Sequence, residues 1–247
     1  MNVIALSDCR FCNIELAFLV DSSTKTVSGA WMQMMNYVRS VVRGYTINPT
    51  CVRAAVIRYS DRAEAPIQLT SYGDVNSLVQ AIGQIQLLGG GSNLATALDL
   101  LRSQVFASNV VRSNTVRIAV IVTDQLQSSS QITTAVNNAR AQGITIVGVA
   151  ITQPGRVNVN FFNSIVSDRT CANQVGTYSR LVPIARNPVL TRCACIAVTP
   201  PTTPRPLSSK YLMAFVLLTD RSVQDCIYHK TYCSGVQCSE LLRVKFT

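Results

Sequence analysis

Apolar and polar positions along this chain fall into two kinds of segment. Ile14–Val20 (IELAFLV), Val52–Tyr59 (VRAAVIRY), Arg117–Val122 (RIAVIV) and Ile144–Ile151 (ITIVGVAI) are short, nearly unbroken apolar runs. Their length and β-branched content predict strands covered on both faces. Between them the apolar residues recur at helical spacing. In Ser28–Arg43 the stripe is Trp31, Met34, Met35, Val38, Val41 and Val42, which predicts a helix laid on the sheet and gives Met and Trp a plain core role. Asp74–Ile85, Asn93–Phe106 and Ser130–Gln142 read as further helices, the last stopped by Gly143. Asn160–Val166 and Leu181–Thr191 read as helices around a short last strand near Thr177–Ser179, and Ala63–Leu69 as an edge strand whose pairing Pro66 limits. Strands alternating with helices predict an α/β fold, a doubly wound, mainly parallel sheet flanked by helices.

The pattern stops after Cys195. Thr199-Pro-Pro-Thr-Thr-Pro-Arg-Pro206 cannot sit in a central strand, so the chain divides into a domain over 12–195, a Pro/Thr-rich linker over 196–210 and a tail over 211–247. The tail carries Cys226, Cys233 and Cys238 and is too short to build a core unaided. Its Ala214–Ser222 echoes Ala17–Ser23, a likeness that two buried strands reach by chance; the start of a truncated further module is the other reading. No apolar run, Tyr211–Leu218 included, approaches the ~20 residues of a membrane span.

Composition adds a compartment and a sign of charge. With 247 residues, 48% of them hydrophobic, the chain can bury a sizeable core. Of the nine cysteines, Cys9, Cys12, Cys193 and Cys195 lie outside the periodic segments, as staples at the ends of a domain in an oxidising, extracellular setting. Domain ends usually lie close together, so these two pairs are expected to join, leaving Cys51 and Cys171 to each other. Cys9-x-x-Cys12 has a zinc-like spacing, but Cys193-x-Cys195 does not and the single histidine, His229, is remote. Met1–Leu6 is too short and lacks the basic start of a signal peptide, so the chain is expected to be a fragment, or the product of an incomplete gene model, of a secreted protein. The net charge of +10 favours acidic partners such as acidic matrix proteins and sulfated glycans. Its arginines (Arg39, Arg43, Arg53, Arg58, Arg112, Arg117, Arg140, Arg156 and Arg186 among them) form no run and no aromatic-interleaved motif, so nucleic acid is not the expected partner.

Two buried strands end at aspartates, Asp21 and Asp124, where open parallel sheets place their ligands. The Gly89-Gly90-Gly91-Ser92 turn can converge on the same edge. Asp21, Ser23, Ser92 and Asp124 thus form a cluster of hard oxygen donors suited to Mg²⁺ or Mn²⁺. Each aspartate alone would be no more than a cap or turn residue.

Together Asp21-Ser-Ser-Thr-Lys25, Tyr59-Ser-Asp61, Gly90-Gly-Ser-Asn93 and Val122-Thr-Asp124, each in its strand context, resemble the von Willebrand factor type A domain over roughly Cys12 to Cys195. The resemblance implies a metal-ion-dependent adhesion site of pattern Asp-x-Ser-x-Ser, joined by a threonine from the Gly-rich turn and an aspartate from the later strand. A partner's acidic residue commonly completes the metal's coordination. Here Ser92 stands for that threonine and keeps a hydroxyl, and Gln125 replaces the usual glycine after the aspartate. Lys25 replaces the third ligating hydroxyl with a cation that has no lone pair to offer. Two like unit charges 4 Å apart repel by ~4 kcal/mol at an effective dielectric of 20, so the site is expected to be degenerate, with weak or absent metal binding and Lys25 as an internal substitute.

The expected role is an extracellular matrix or adhesion module binding collagen-like or acidic matrix proteins, or sulfated glycans, through Asp21, Ser23, Lys25, Ser92 and Asp124. A purely structural matrix domain with an extinct metal site is the alternative. Enzyme chemistry is not expected: the chain has no Gly-x-Ser-x-Gly elbow, no phosphate-binding Gly-Lys-Ser/Thr and no histidine within the domain.

Overall fold

A computed structural model of the chain describes residues 13–23 and 28–185. Its strands are β1 (Asn13–Asp21), β2 (Val52–Tyr59), β3 (Ala63–Ile67), β4 (Thr115–Thr123), β5 (Ile144–Ile151) and β6 (Ala172–Val175); its helices are α1 (Ser28–Val42), α2 (Val75–Ile82), α3 (Leu94–Leu100), α4 (Ser130–Ala141), α5 (Val159–Ile165) and α6 (Leu181–Ile184). The strands form one sheet in the order β3-β2-β1-β4-β5-β6, parallel throughout except for the antiparallel edge strand β3. The expected mainly parallel, helix-flanked sheet is the observed fold. The chain divides into two units, Met1–Thr199 and Pro200–Thr247; the expected linker and tail lie outside the described residues, as do Cys9, Cys12, Lys25, Arg186, Cys193 and Cys195.

The continuous apolar runs are buried because helices cover both sides of them. From Leu16 to Val20 every residue of β1 is inaccessible, and β4 and β5 are as deeply buried over their carboxyl halves. The predicted stripe of α1 faces inward, with Trp31 donating its indole N–H to the Ile85 carbonyl at 3.0 Å. Gly148 sits in β5 where a Cβ would lie 2.7 Å from Val166 and overlap the Phe162 ring, so α5 packs directly on the strand backbone.

Four expectations need correction. The last strand is Ala172–Val175 rather than 177–179, because Thr177 opens a tight 3₁₀ turn at Tyr178–Arg180. The helix expected over Asn93–Phe106 is α only to Leu100, and Leu101–Val105 form a wider π turn. Cys51 and Cys171, both disulfide-bonded, do not bond each other: they directly precede β2 and β6, which three strands separate. At ~4.8 Å per strand that is ~19 Å, against a disulfide Cα–Cα distance below ~7 Å. Arg53 and Arg112, read only as two of the arginines that form no run, instead clamp the buried Glu15. Arg53 donates to its two oxygens at 2.9 and 2.6 Å, and Arg112 donates through Nε at 2.8 Å while also holding the Ile14, Pro49 and Cys51 carbonyls. Burial alone would raise the Glu15 carboxyl, but these arginine hydrogen bonds outweigh it and hold the pKa below the ordinary value.

Among the described residues, no helix is long and apolar enough to cross a membrane.

Candidate functional site

Strand order reverses between β1 and β4: β2 and β3 extend to one side, β5 and β6 to the other. A crevice outside the carboxyl ends is expected at that point. Val20 pairs with Val122, so the register sets Asp21 beside Thr123, with Asp124 one residue further on. Both aspartates are fully buried, and each is satisfied differently.

Asp21 is held by hydroxyls and an amide. Its Oδ1 accepts the Ser23 amide at 3.0 Å and its Oδ2 the Ser92 hydroxyl at 2.7 Å. The Thr123 hydroxyl lies 3.1 Å from the same Oδ2 and 2.7 Å from the Gln125 carbonyl; its single proton serves one of them at a time. Burial pushes the Asp21 carboxyl up to about 6, against the pull of the Ser92 and Ser23 hydrogen bonds, with the Asp124 charge adding to the rise.

The Gly-rich turn reaches Asp21 because backbone bonds anchor it. Leu88 donates its amide to the Ser22 hydroxyl, Gly89 to the Ser22 carbonyl and Asn93 to the Ser60 carbonyl. Gly90 adopts φ +97°, and a Cβ on either Gly90 or Gly91 would overlap the Asp61 carboxylate. Only glycine therefore allows the turn to pass this close to Asp61.

Asp124 is held by a cation and a phenol. Arg156 Nη2 lies 2.8 Å from Asp124 Oδ2, and the Tyr178 hydroxyl donates to that same oxygen. Burial, and next this hydrogen bond, raise the Tyr178 pKa well above its ordinary value. Arg156 arrives on the turn Gln153-Pro154-Gly155-Arg156, closed by the Arg156 amide on the Gln153 carbonyl at 3.2 Å with Gly155 at φ +73°. Proline followed by a positive-φ glycine is type II turn chemistry. The loop after β4 then zips onto it: Leu126 donates to the Arg156 carbonyl at 2.9 Å and Asn158 to the Leu126 carbonyl at 2.7 Å.

Asp21, Ser23, Ser92 and Asp124 thus meet at one edge, while Lys25 lies outside the described residues. Among the described residues, Ser23 Oγ and Tyr59 Oη are buried here without a hydrogen-bond partner, and no three of His, Cys, Asp and Glu cluster as a metal site. Of the residues expected to face a cation, Asp21 takes the Ser92 hydroxyl on its Oδ2, and Asp124 takes Arg156 and Tyr178 on its Oδ2. Sequence reading missed Tyr59, Thr123, Arg156 and Tyr178 as parts of the site. For Arg156 a signal existed in the Pro-Gly turn directly after a buried strand; Tyr178 had none, since its approach depends on where β6 ends.

The von Willebrand factor type A domain profile matches residues 15–182. The mouse collagen alpha-4(VI) chain is 29% identical over 137 residues, 56% of this chain and 6% of that protein. Human matrilin-3 is 27% identical over 147 residues, 58% of this chain and 30% of that protein. The chain therefore spans a minor part of these relatives. Among solved structures, proximal thread matrix protein 1 from the mussel byssus, with a zinc-occupied metal-ion-dependent adhesion motif, aligns at a TM-score of 0.68 and 18% identity, covering 77% of this chain and 47% of that one.

Proposed function

The chain belongs to the von Willebrand factor type A domain family, and from that membership we propose that it is an extracellular matrix or adhesion module that binds a partner through the carboxyl ends of β1 and β4. In the matrilins and collagen VI chains it resembles, this is a non-enzymatic module of matrix and adhesion proteins. The carrying observation is the convergence of Asp21, Ser92, Thr123 and Asp124, from three separate segments, at the point where strand order reverses. A core alone has no need to bury two carboxylates side by side.

The expected partners are acidic or collagen-like matrix proteins, or sulfated glycans, met in a secreted, disulfide-stapled protein. Charge supports the acidic class. Twelve arginines and eight carboxylates fall among the described residues, a balance of +4 out of the whole chain's +10. The alternative, a purely structural matrix domain, draws on the way Asp124 is already bonded by Arg156 and Tyr178. Retention of the protein on decellularised matrix and on immobilised collagen, with EDTA, with Mg²⁺ and across graded salt, separates the two. Adhesion predicts saturable retention that salt weakens; no retention under any of these conditions leaves the structural reading.

A further inference from the structure

We propose that Arg156, braced by Tyr178, takes the place of a divalent cation at Asp124 and presents its guanidinium to an acidic side chain of the partner. This rests on the adhesion reading above. A divalent ion would balance the charges of Asp21 and Asp124 together. Instead, Arg156 Nη2 stands 2.8 Å from Asp124 Oδ2, and Tyr178 donates to that oxygen as well. A second cation directly on this oxygen would meet a fixed positive charge, so the donor set at Asp124 does not fit a metal ion.

The arrangement is built from both sides. The type II turn and the Leu126 pairing fix the Arg156 backbone, and the Gln153 side-chain oxygen accepts from its Nη1 at 3.2 Å. About a quarter of the Arg156 side chain stays exposed while it pairs with the fully buried Asp124 carboxylate. With its Nε buried, a guanidinium held in this way meets an incoming carboxylate through its Nη groups.

Mn²⁺ alone tests this, by paramagnetic resonance or calorimetric titration, without any partner; its outcome is therefore independent of whether matrix retention is observed. Because the sequence also carries lysine at position 25, the comparison includes Lys25→Ser alone and Lys25→Ser with Arg156→Gln. The wild type and Lys25→Ser are expected to show no saturable binding up to about 1 mM, and the double variant to bind at least about tenfold more tightly. Near-ultraviolet circular dichroism verifies that each variant is folded. Sub-millimolar saturable binding by Lys25→Ser or the wild type, with Arg156 in place, overturns the proposal. So does a folded double variant that still binds no Mn²⁺. If the double variant fails to fold, Lys25→Ser with Arg156→Met, which removes the same charge but keeps an unbranched apolar stem, is expected to gain the same binding, and no gain by that folded variant counts against the proposal.

Discussion

Arg156 and Asp124 form an ion pair at 2.8 Å across the mouth of the sheet, joining the loop after β5 to the end of β4. The carboxylate is fully buried and the guanidinium a quarter exposed. Arg156→Gln should therefore cost about 2 kcal/mol, between an exposed pair and a fully buried one. Urea unfolding measures this, and a loss below a few tenths would show that the pair is idle in the folded state.

Glu15 should be the costlier site. Replacing it with Gln leaves Arg53 and Arg112 facing no charge in a buried setting, a loss of about 3–5 kcal/mol at neutral pH. The folded carboxyl titrates below its ordinary 4.5, so its stabilisation is present above that value and disappears as pH falls through the lower, folded value. Unfolding free energy followed from pH 7 down to pH 3 should thus fall more steeply for the wild type than for Glu15→Gln. Parallel curves would contradict the assignment.

Asp21 works in the opposite sense. Its folded pKa of about 6 stands above the ordinary 3.8, so between roughly pH 4 and 6 the folded state holds a proton that the unfolded chain has released. Its contribution therefore declines as pH rises through that window and stays low above it. Asp21→Asn, which cannot ionise, should gain on the wild type between pH 4 and pH 7 by up to about 3 kcal/mol. A stability difference that does not change with pH would refute this.

Gly90→Ala should cost more than Gly143→Ala. Both residues have positive φ, but a Cβ at Gly143 meets nothing within 4 Å whereas one at Gly90 overlaps Asp61. Left-handed strain costs about 1–2 kcal/mol in either case, and the overlap adds to it at Gly90 while pushing Ser92 away from Asp21. Equal losses would show that the Asp61 contact yields easily.

Much of this was legible in the chain because burial on both faces writes a strand as an unbroken apolar run. Ile14–Val20 and Ile144–Ile151 carry that mark, and the end of such a run locates Asp21 at the close of β1 and Asp124 just after β4. Asp21, Ser23, Ser92 and Asp124 could be grouped because each sits at the end of a segment with strong periodicity. The partners of Asp124 could not. Arg156 reads as one dispersed arginine among many until the Pro-Gly turn is seen to aim it, and Tyr178 depends on β6 ending at Val175 rather than running on. Glu15 was hidden inside an apolar run, where its cost is offset by two arginines distant in sequence. Cys51 and Cys171 were expected to pair for want of other partners, which strand order excludes.

The most direct test compares retention on decellularised matrix, in EDTA, for the wild type, Arg156→Gln and Arg117→Gln. Arg117 lies at the start of β4, the opposite end of the sheet, so its replacement removes the same charge away from the proposed face. With all three proteins folded, the wild type and Arg117→Gln should be retained alike and Arg156→Gln about tenfold less. Equal retention of all three, or wild-type retention that appears only when Mg²⁺ or Mn²⁺ is added, would contradict a cation-independent adhesion face at Asp124.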